Sequence, residues 1–160
     1  MFTVSDSVCI DAAPEAVWSV LARLEDIVLW SDAVQSAVTA PGRDRGVGAE
    51  RICVLRGGIT LTERWTHWEE GRSFTYLGSG LPGVKAASNR WTVTAVDGRT
   101  LLETRAEVTL KAGRIGRLFD EALARRARGM GRDTLGVLKF LSETGRVPQQ
   151  GEARDAPVHC

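Results

Sequence analysis

The sequence is short of several things, and each shortage excludes a class of function. No apolar run approaches the roughly 18 residues a membrane-spanning helix needs. Charge of one sign is not in excess: 21 basic against 20 acidic side chains leave a formal net charge of +1. That balance gives no electrostatic footprint for nucleic acid or an anionic bilayer. With only two histidines, His67 and His159, a histidine pair or a His-rich metal site lacks its residues. The three cysteines, Cys9, Cys53 and Cys160, are scattered and carry no CxxC spacing. They supply neither a disulfide framework nor a zinc site and fit a reducing cytoplasm. Met1 is not followed by the basic, apolar and small-residue stretches of a secretory leader, so none is expected. No serine sits in a GxSxG elbow, and no phosphate-binding loop or dinucleotide glycine pattern occurs. Serine hydrolase, nucleotide-binding and dinucleotide-dependent chemistries are set aside on that ground, and no metal or other cofactor is expected.

What is present is an ordinary globular composition, 43% apolar and 26% charged, at a length that suits one domain. Aromatics are few, yet five of them are tryptophans, which fill a core or wall an apolar pocket. Phe2 to Ile10 alternates, with Val4, Asp6, Val8 and Ile10 on one side, and predicts a strand. Asp11 to Glu15 opens a helix: Asp11 or Ala13 lies at the cap, Pro14 suits the first turn and Glu15 the positive helix end. A second short helical segment runs from Glu25 to Ser31. Strands are then expected over 34–40, 50–56, 59–68, 72–77, 88–96 and 100–110, with tight turns at Gly57-Gly58 and Asp97-Gly98 and a Gly/Pro loop over 78–84. Beyond Gly113 the period becomes helical, from Ile115 through Leu141, and Gly145 is a C-cap. Gly129, Gly131 and Gly136 inside that helix mean close packing on the sheet or a helix that bends over a ligand. The predicted domain covers 1–145, followed by a polar, disordered tail over 146–160. The order is an α+β one: a curved antiparallel sheet gripping a long C-terminal helix, with two short helices after the first strand.

Ile10 through Trp18, then Leu21 and Leu29-Trp30, resembles the opening of START-like helix-grip proteins, in their bacterial polyketide cyclase/dehydrase and lipid-transport branch. Gly46-Val47-Gly48-Ala49, Leu61-Thr62-Glu63-Arg64, Gly98-Arg99-Thr100 and the long final helix add to the likeness, which spans residues 3–144. The resemblance implies a hydrophobic cavity between sheet and C-terminal helix, occupied by a small apolar molecule of lipid or polyketide type. It implies no fixed metal or redox cofactor. Ser79-Gly80-Leu81-Pro82-Gly83 is similar to the gate loop of abscisic-acid receptors but stands one hairpin later. At a pocket mouth such a loop acts as a lid, with Leu81 and Pro82 toward the ligand.

Glu63 is the leading chemical candidate. Ile59, Leu61, Glu63, Trp65 and His67 share the more apolar face of their strand, which puts a carboxylate in the cavity. Burial favours its neutral form, as a general acid or base needs, unless Arg51 on the neighbouring strand pairs with it. The Gly57-Gly58 turn sets Arg51 opposite 63 or 64. Tyr76 is the single tyrosine and, by its match to the family's strand-end aromatic, offers a hydroxyl to a ligand carbonyl. Catalysis, if there is any, falls to Glu63 and Tyr76. Trp30, Leu61, Trp65, Asn89, Trp91 and Thr104 complete the expected ligand wall. His67 reads as a surface histidine or an acid/base group. The arginines at 114, 117, 125, 126, 128 and 132 read as a solvated helix face or a patch for an acidic carrier protein or phospholipid. Three functions follow: binding of a small apolar ligand, a polyketide cyclase or aromatase, and a protein-interaction module with a vestigial cavity. A homodimer is left open.

Overall fold

A computed structural model describes residues 1–111, 113–149 and 152, with side chains omitted over 113–124 and at 126. Strand β1 (Phe2–Ile10) leads into helix α1 (Pro14–Ala22), a 3-10 turn at Leu24–Asp26 and the one-turn helix α2 (Ile27–Trp30). Six more strands follow: β2 (Val34–Thr39), β3 (Glu50–Leu55), β4 (Thr60–Glu69), β5 (Ser73–Ser79), β6 (Val84–Val96) and β7 (Arg99–Leu110). Helix α3 (Gly113–Thr144) closes the domain. The strands form one antiparallel sheet in the order β1-β7-β6-β5-β4-β3-β2. Each successive pair is a hairpin except at one edge, where β1 returns to β7 with Phe2 opposite Val108 and Ile10 opposite Thr100. This is the helix-grip architecture read from the sequence.

Local chemistry explains the element ends. The α1 N-cap is Ala13, without a side-chain cap, and Pro14 takes the first position, where a missing N–H costs nothing. Asp97 and Gly98 both adopt positive φ, +47° and +79°, as a two-residue hairpin turn demands. Gly145 donates its N–H to the Leu141 carbonyl at 2.8 Å and ends α3. The core gathers Val8 and Ile10 of β1, Val17 and Leu21 of α1, and Leu135 and Leu138 of α3, all nearly inaccessible to solvent. Lys139 donates to the Cys9 carbonyl at 3.1 Å and Glu143 accepts the Asp11 N–H at 2.7 Å, which ties the end of α3 to the end of β1.

Three expectations change. The loop predicted over 78–84 shrinks to residues 80–83, because β5 runs to Ser79 and β6 starts at Val84. A bulge between Trp65 and His67 inserts one residue into β4. Trp65 therefore faces inward opposite Tyr76, His67 turns outward, and Trp68 comes back inward to stack on Phe74 at 5.6 Å. Cys9 is disulfide-bonded, against the reading of three unbridged cysteines, while Cys53 is a buried free thiol. The apolar periodicity over 115–123 and most of the tail expected over 146–160 lie outside the described side chains and residues. Within the described part, Arg146 and Glu152 form an ion pair at 2.6 Å.

Candidate functional site

Between the concave face of the sheet and α3 lies a cavity of about 330 Å³. Its size falls within the range of small-molecule sites. Helix α3 roofs it with Ala127, Met130, Gly131 and Thr134, one face at helical spacing. Ile27, Trp30 and Ala33 form one side, and Leu55 and Leu61 another. Trp30 packs edge-on against Trp91, ring centroids 5.8 Å apart, and both line the space. An outer recess of about 210 Å³ shares Trp30, Ala33, Met130 and Thr134 with the cavity.

The floor carries a polar band that crosses six adjacent strands, one side chain from each. Asp6 on β1 is opposite Thr104 on β7. The Thr104 hydroxyl donates to Asn89 Oδ1 on β6 at 2.8 Å, and Asn89 Nδ2 donates to the Tyr76 hydroxyl on β5 at 3.2 Å. Glu63 on β4 and Arg51 on β3 complete the row as a directly opposed pair. All but Arg51 line the cavity. The band arises because each strand alternates and its inward set includes one polar residue among apolar ones.

Glu63 and Arg51 form a buried ion pair. Arg51 Nε and Nη2 reach Glu63 Oε2 at 2.7 and 2.5 Å, and Arg51 Nη1 donates to the Leu24 carbonyl. The Cys53 thiol points at the same Oε2 from 3.6 Å. The Arg51 guanidinium also lies over the Trp65 ring, 5.1 Å from its centroid. The register resolves the alternative left by the Gly57-Gly58 turn in favour of Glu63. Its carboxylate is thus a member of a fixed cluster, the ion pair with Arg51 that the sequence offered beside a free acid in the cavity. Burial pushes the Cys53 thiol up to about 11.

Tyr76 is a different case. Burial, followed by the nearby Glu63 charge, holds its phenol far above the ordinary tyrosine value. The group therefore stays protonated, and its oxygen already accepts from Asn89. A phenolic O–H is what this arrangement offers to a ligand oxygen.

The other expected site residues separate cleanly. Trp30, Leu61, Asn89, Trp91, Thr104 and Leu81 line the cavity together with Glu63 and Tyr76. Trp65 does not: it is 1% exposed and packed between Arg51, Phe74 and Tyr76, so it is core beneath the site. Pro82 does not either; it sits exposed at the tip of its turn. That turn is pinned. The Lys111 N–H bonds the Gly83 carbonyl at 2.8 Å, and a Cβ on Gly80 would stand 2.4 Å from the Thr60 carbonyl oxygen. His67 is exposed and within 3.3 Å of the Ser73 hydroxyl. Arg125, Arg128 and Arg132 are exposed on α3, and the side chains at 114, 117 and 126 lie outside the described ones. Among the described residues, no group of three His, Cys, Asp or Glu side chains could hold a metal ion, and no helix is long and apolar enough to cross a membrane.

Sequence reasoning missed Asp6 and Met130. Asp6 had a signal, since the alternation of β1 places it with Val4, Val8 and Ile10 on the buried side.

Comparison with known proteins agrees with the fold. The family described as polyketide cyclase / dehydrase and lipid transport matches residues 1–143. The aromatase/cyclase ZhuI from Streptomyces sp. R1128 superposes with a TM-score of 0.74 at 18% identity, over 89% of this chain and 93% of that one. XoxI from Bacillus cereus gives 0.72 at 21% identity, over 88% and 94%. A START superfamily protein from Mycobacterium smegmatis gives 0.67 at 13% identity, over 87% and 98%. No curated protein matches the chain. The match over most of the chain's length is decisive: this chain belongs to the polyketide cyclase / dehydrase and lipid transport family.

Proposed function

We propose that the protein binds one small, largely apolar molecule in the cavity between sheet and α3. The observation that carries this reading is the pairing of an apolar roof and tryptophan wall with a hydrogen-bonded polar floor. A packed core has no use for a cavity of that size, because empty apolar space forfeits dispersion contacts. The apolar lining supplies affinity, and Tyr76, Asn89 and Thr104 orient the occupant through its oxygens. An acyl chain or a fused-ring polyketide bearing a carbonyl fits this description.

A second reading, cyclisation of a polyketide chain, is favoured by Tyr76. A phenol held protonated beside a bound carbonyl can donate its hydrogen as negative charge grows on the oxygen, while the cavity walls hold the chain folded. Glu63 serves that reading less well, since Arg51 engages the carboxylate in both readings.

Native mass spectrometry of freshly purified protein, with organic extraction of the same sample, tests the proposal. A co-purifying species of discrete mass supports binding, and incubating that species with fresh protein and then chromatographing it separates carrier from cyclase. A bare protein mass, together with tryptophan fluorescence unmoved by apolar ligands, counts against both and favours a protein-interaction module.

A further inference from the structure

The hydrogen bonds of the floor run in one direction. Thr104 gives its hydrogen to Asn89, and Asn89 gives one to Tyr76. The row therefore presents an unspent donor at its Tyr76 end and acceptors at its Thr104 end, where Asp6 stands directly across the strand pair.

Asp6 is unusual in three respects. Its side chain lines the cavity and keeps only 11% exposure. Its Oδ2 is buried and has no hydrogen-bond partner among the described residues. Its other oxygen has an ion-pair partner, Arg132 Nε at 3.7 Å, so only one of the two oxygens is engaged. The roof accommodates this. The helix residue over Asp6 is Gly131, and a Cβ there would approach Oδ2 to 3.3 Å. Close packing and the bare oxygen thus coincide at one spot. A buried acceptor without a donor costs stability, and a ligand that brings a donor removes that cost on binding.

From this we infer that Asp6 is a ligand-binding residue that selects for a hydrogen-bond donor, a hydroxyl or phenol, at the end of the ligand remote from the oxygen that meets Tyr76. The inference rests on the small-molecule reading above and narrows it. The occupant is bipolar, an acceptor such as a carbonyl at the Tyr76 end and a donor at the Asp6 end, with an apolar body between. An acyl chain without a hydroxyl satisfies only half of the site.

Two probes that differ by one group test it: an acetylnaphthol with its hydroxyl on the ring remote from the carbonyl, and the acetylnaphthalene that lacks the hydroxyl. Affinities are measured by titration calorimetry on the full chain at pH 7. The expected result is that the acetylnaphthol binds at least about tenfold more tightly, the scale of one charge-assisted hydrogen bond. Asp6→Ala should abolish the preference, and Asp6→Asn should shrink it. Equal affinity of the two probes for wild type, or a preference that survives Asp6→Ala, overturns the inference while leaving the cavity reading intact. Failure of both probes to bind overturns the two together. The wild-type comparison needs no variant, and thermal melts of the two variants verify that they are folded.

Discussion

Removing one member of the Arg51–Glu63 pair should be far more damaging than removing both. Arg51 is 2% exposed, and its donors go to Glu63 Oε2 and the Leu24 carbonyl. Glu63→Leu leaves a buried guanidinium with the Leu24 carbonyl and the Trp65 face but no counter-charge. Breaking a buried pair from one side costs about 3–5 kcal/mol. For a domain of this size that corresponds to a fall in Tm of roughly 6–20 °C. Arg51→Met strands the carboxylate in the same way, with the Cys53 thiol as its remaining neighbour. The double variant Arg51→Met with Glu63→Leu replaces the pair by apolar groups of similar reach. It should lie within about 2 kcal/mol of wild type, since well-packed hydrophobic replacements of buried pairs are often neutral. Urea denaturation of the four proteins at pH 7 gives the cycle, with an expected coupling of about 4 kcal/mol or more, the two single losses less the small loss of the double variant. Single losses below about 1 kcal/mol that simply add in the double variant would refute the reasoning. They would mean that cavity water solvates the charges and that Glu63 is available for chemistry.

Four further outcomes are expected. Tyr76→Phe should weaken binding of a carbonyl-bearing ligand about tenfold, as calorimetry would read, and cost about 1–3 kcal/mol of stability in denaturant melts, because the Asn89 N–H loses its acceptor. Because the phenol is raised well above its ordinary value, wild-type affinity should also stay level from pH 7 to about 10, and a fall centred near the ordinary value of about 10 would contradict it. Glu70 accepts the indole N–H of both Trp18 and Trp68 at 2.8 Å and pairs with Arg45; the Trp68 and Arg45 hydrogen bonds hold its carboxyl below the ordinary range. A depressed value means that its stabilisation is present above about pH 4.3 and is lost as pH falls through the lowered value. Glu70→Gln should therefore flatten the acid limb of a Tm-against-pH curve, and an unchanged limb would count against the clasp. Gly80 has φ +101° and faces a backbone oxygen, so Gly80→Ala should cost about 2–3 kcal/mol in denaturant melts and loosen the turn that places Leu81 in the cavity wall.

Much of this was legible in residue pattern, and the part that was not has identifiable reasons. The strands announced themselves by alternation, and Gly57-Gly58 and Asp97-Gly98 marked two hairpins because only certain residues accept their dihedrals. The bulge in β4 was not visible in alternation, which put His67 inward and Trp68 outward. Tryptophans at 65 and 68 were the available hint, since two large aromatics three apart on a strand can share one face only if a residue is inserted. Trp65 faces inward as expected, but facing inward does not distinguish a cavity wall from the layer beneath it. That distinction depends on Arg51 and Phe74 arriving from other strands. The Ser79–Gly83 match suggested a gate; the neighbours of this turn, the Thr60 carbonyl beside Gly80 and the Lys111 N–H on Gly83, are ones that local sequence does not connect to it.

The edge pairing of β1 with β7 has a consequence for how the molecule assembles. Every other pair of neighbours is consecutive in the chain, but β1 waits for a partner about a hundred residues later, with Phe2 opposite Val108. Closing so long a loop is slow relative to forming the hairpins. As this sheet is synthesised, β1 is its first strand made and the last of it to be paired. The end of the cavity floor that carries Asp6 therefore forms only at that final docking. A β2–β7 intermediate would hold the Tyr76 end of the floor without its Asp6 end, and a ligand spanning both would speed the last step or slow its reversal.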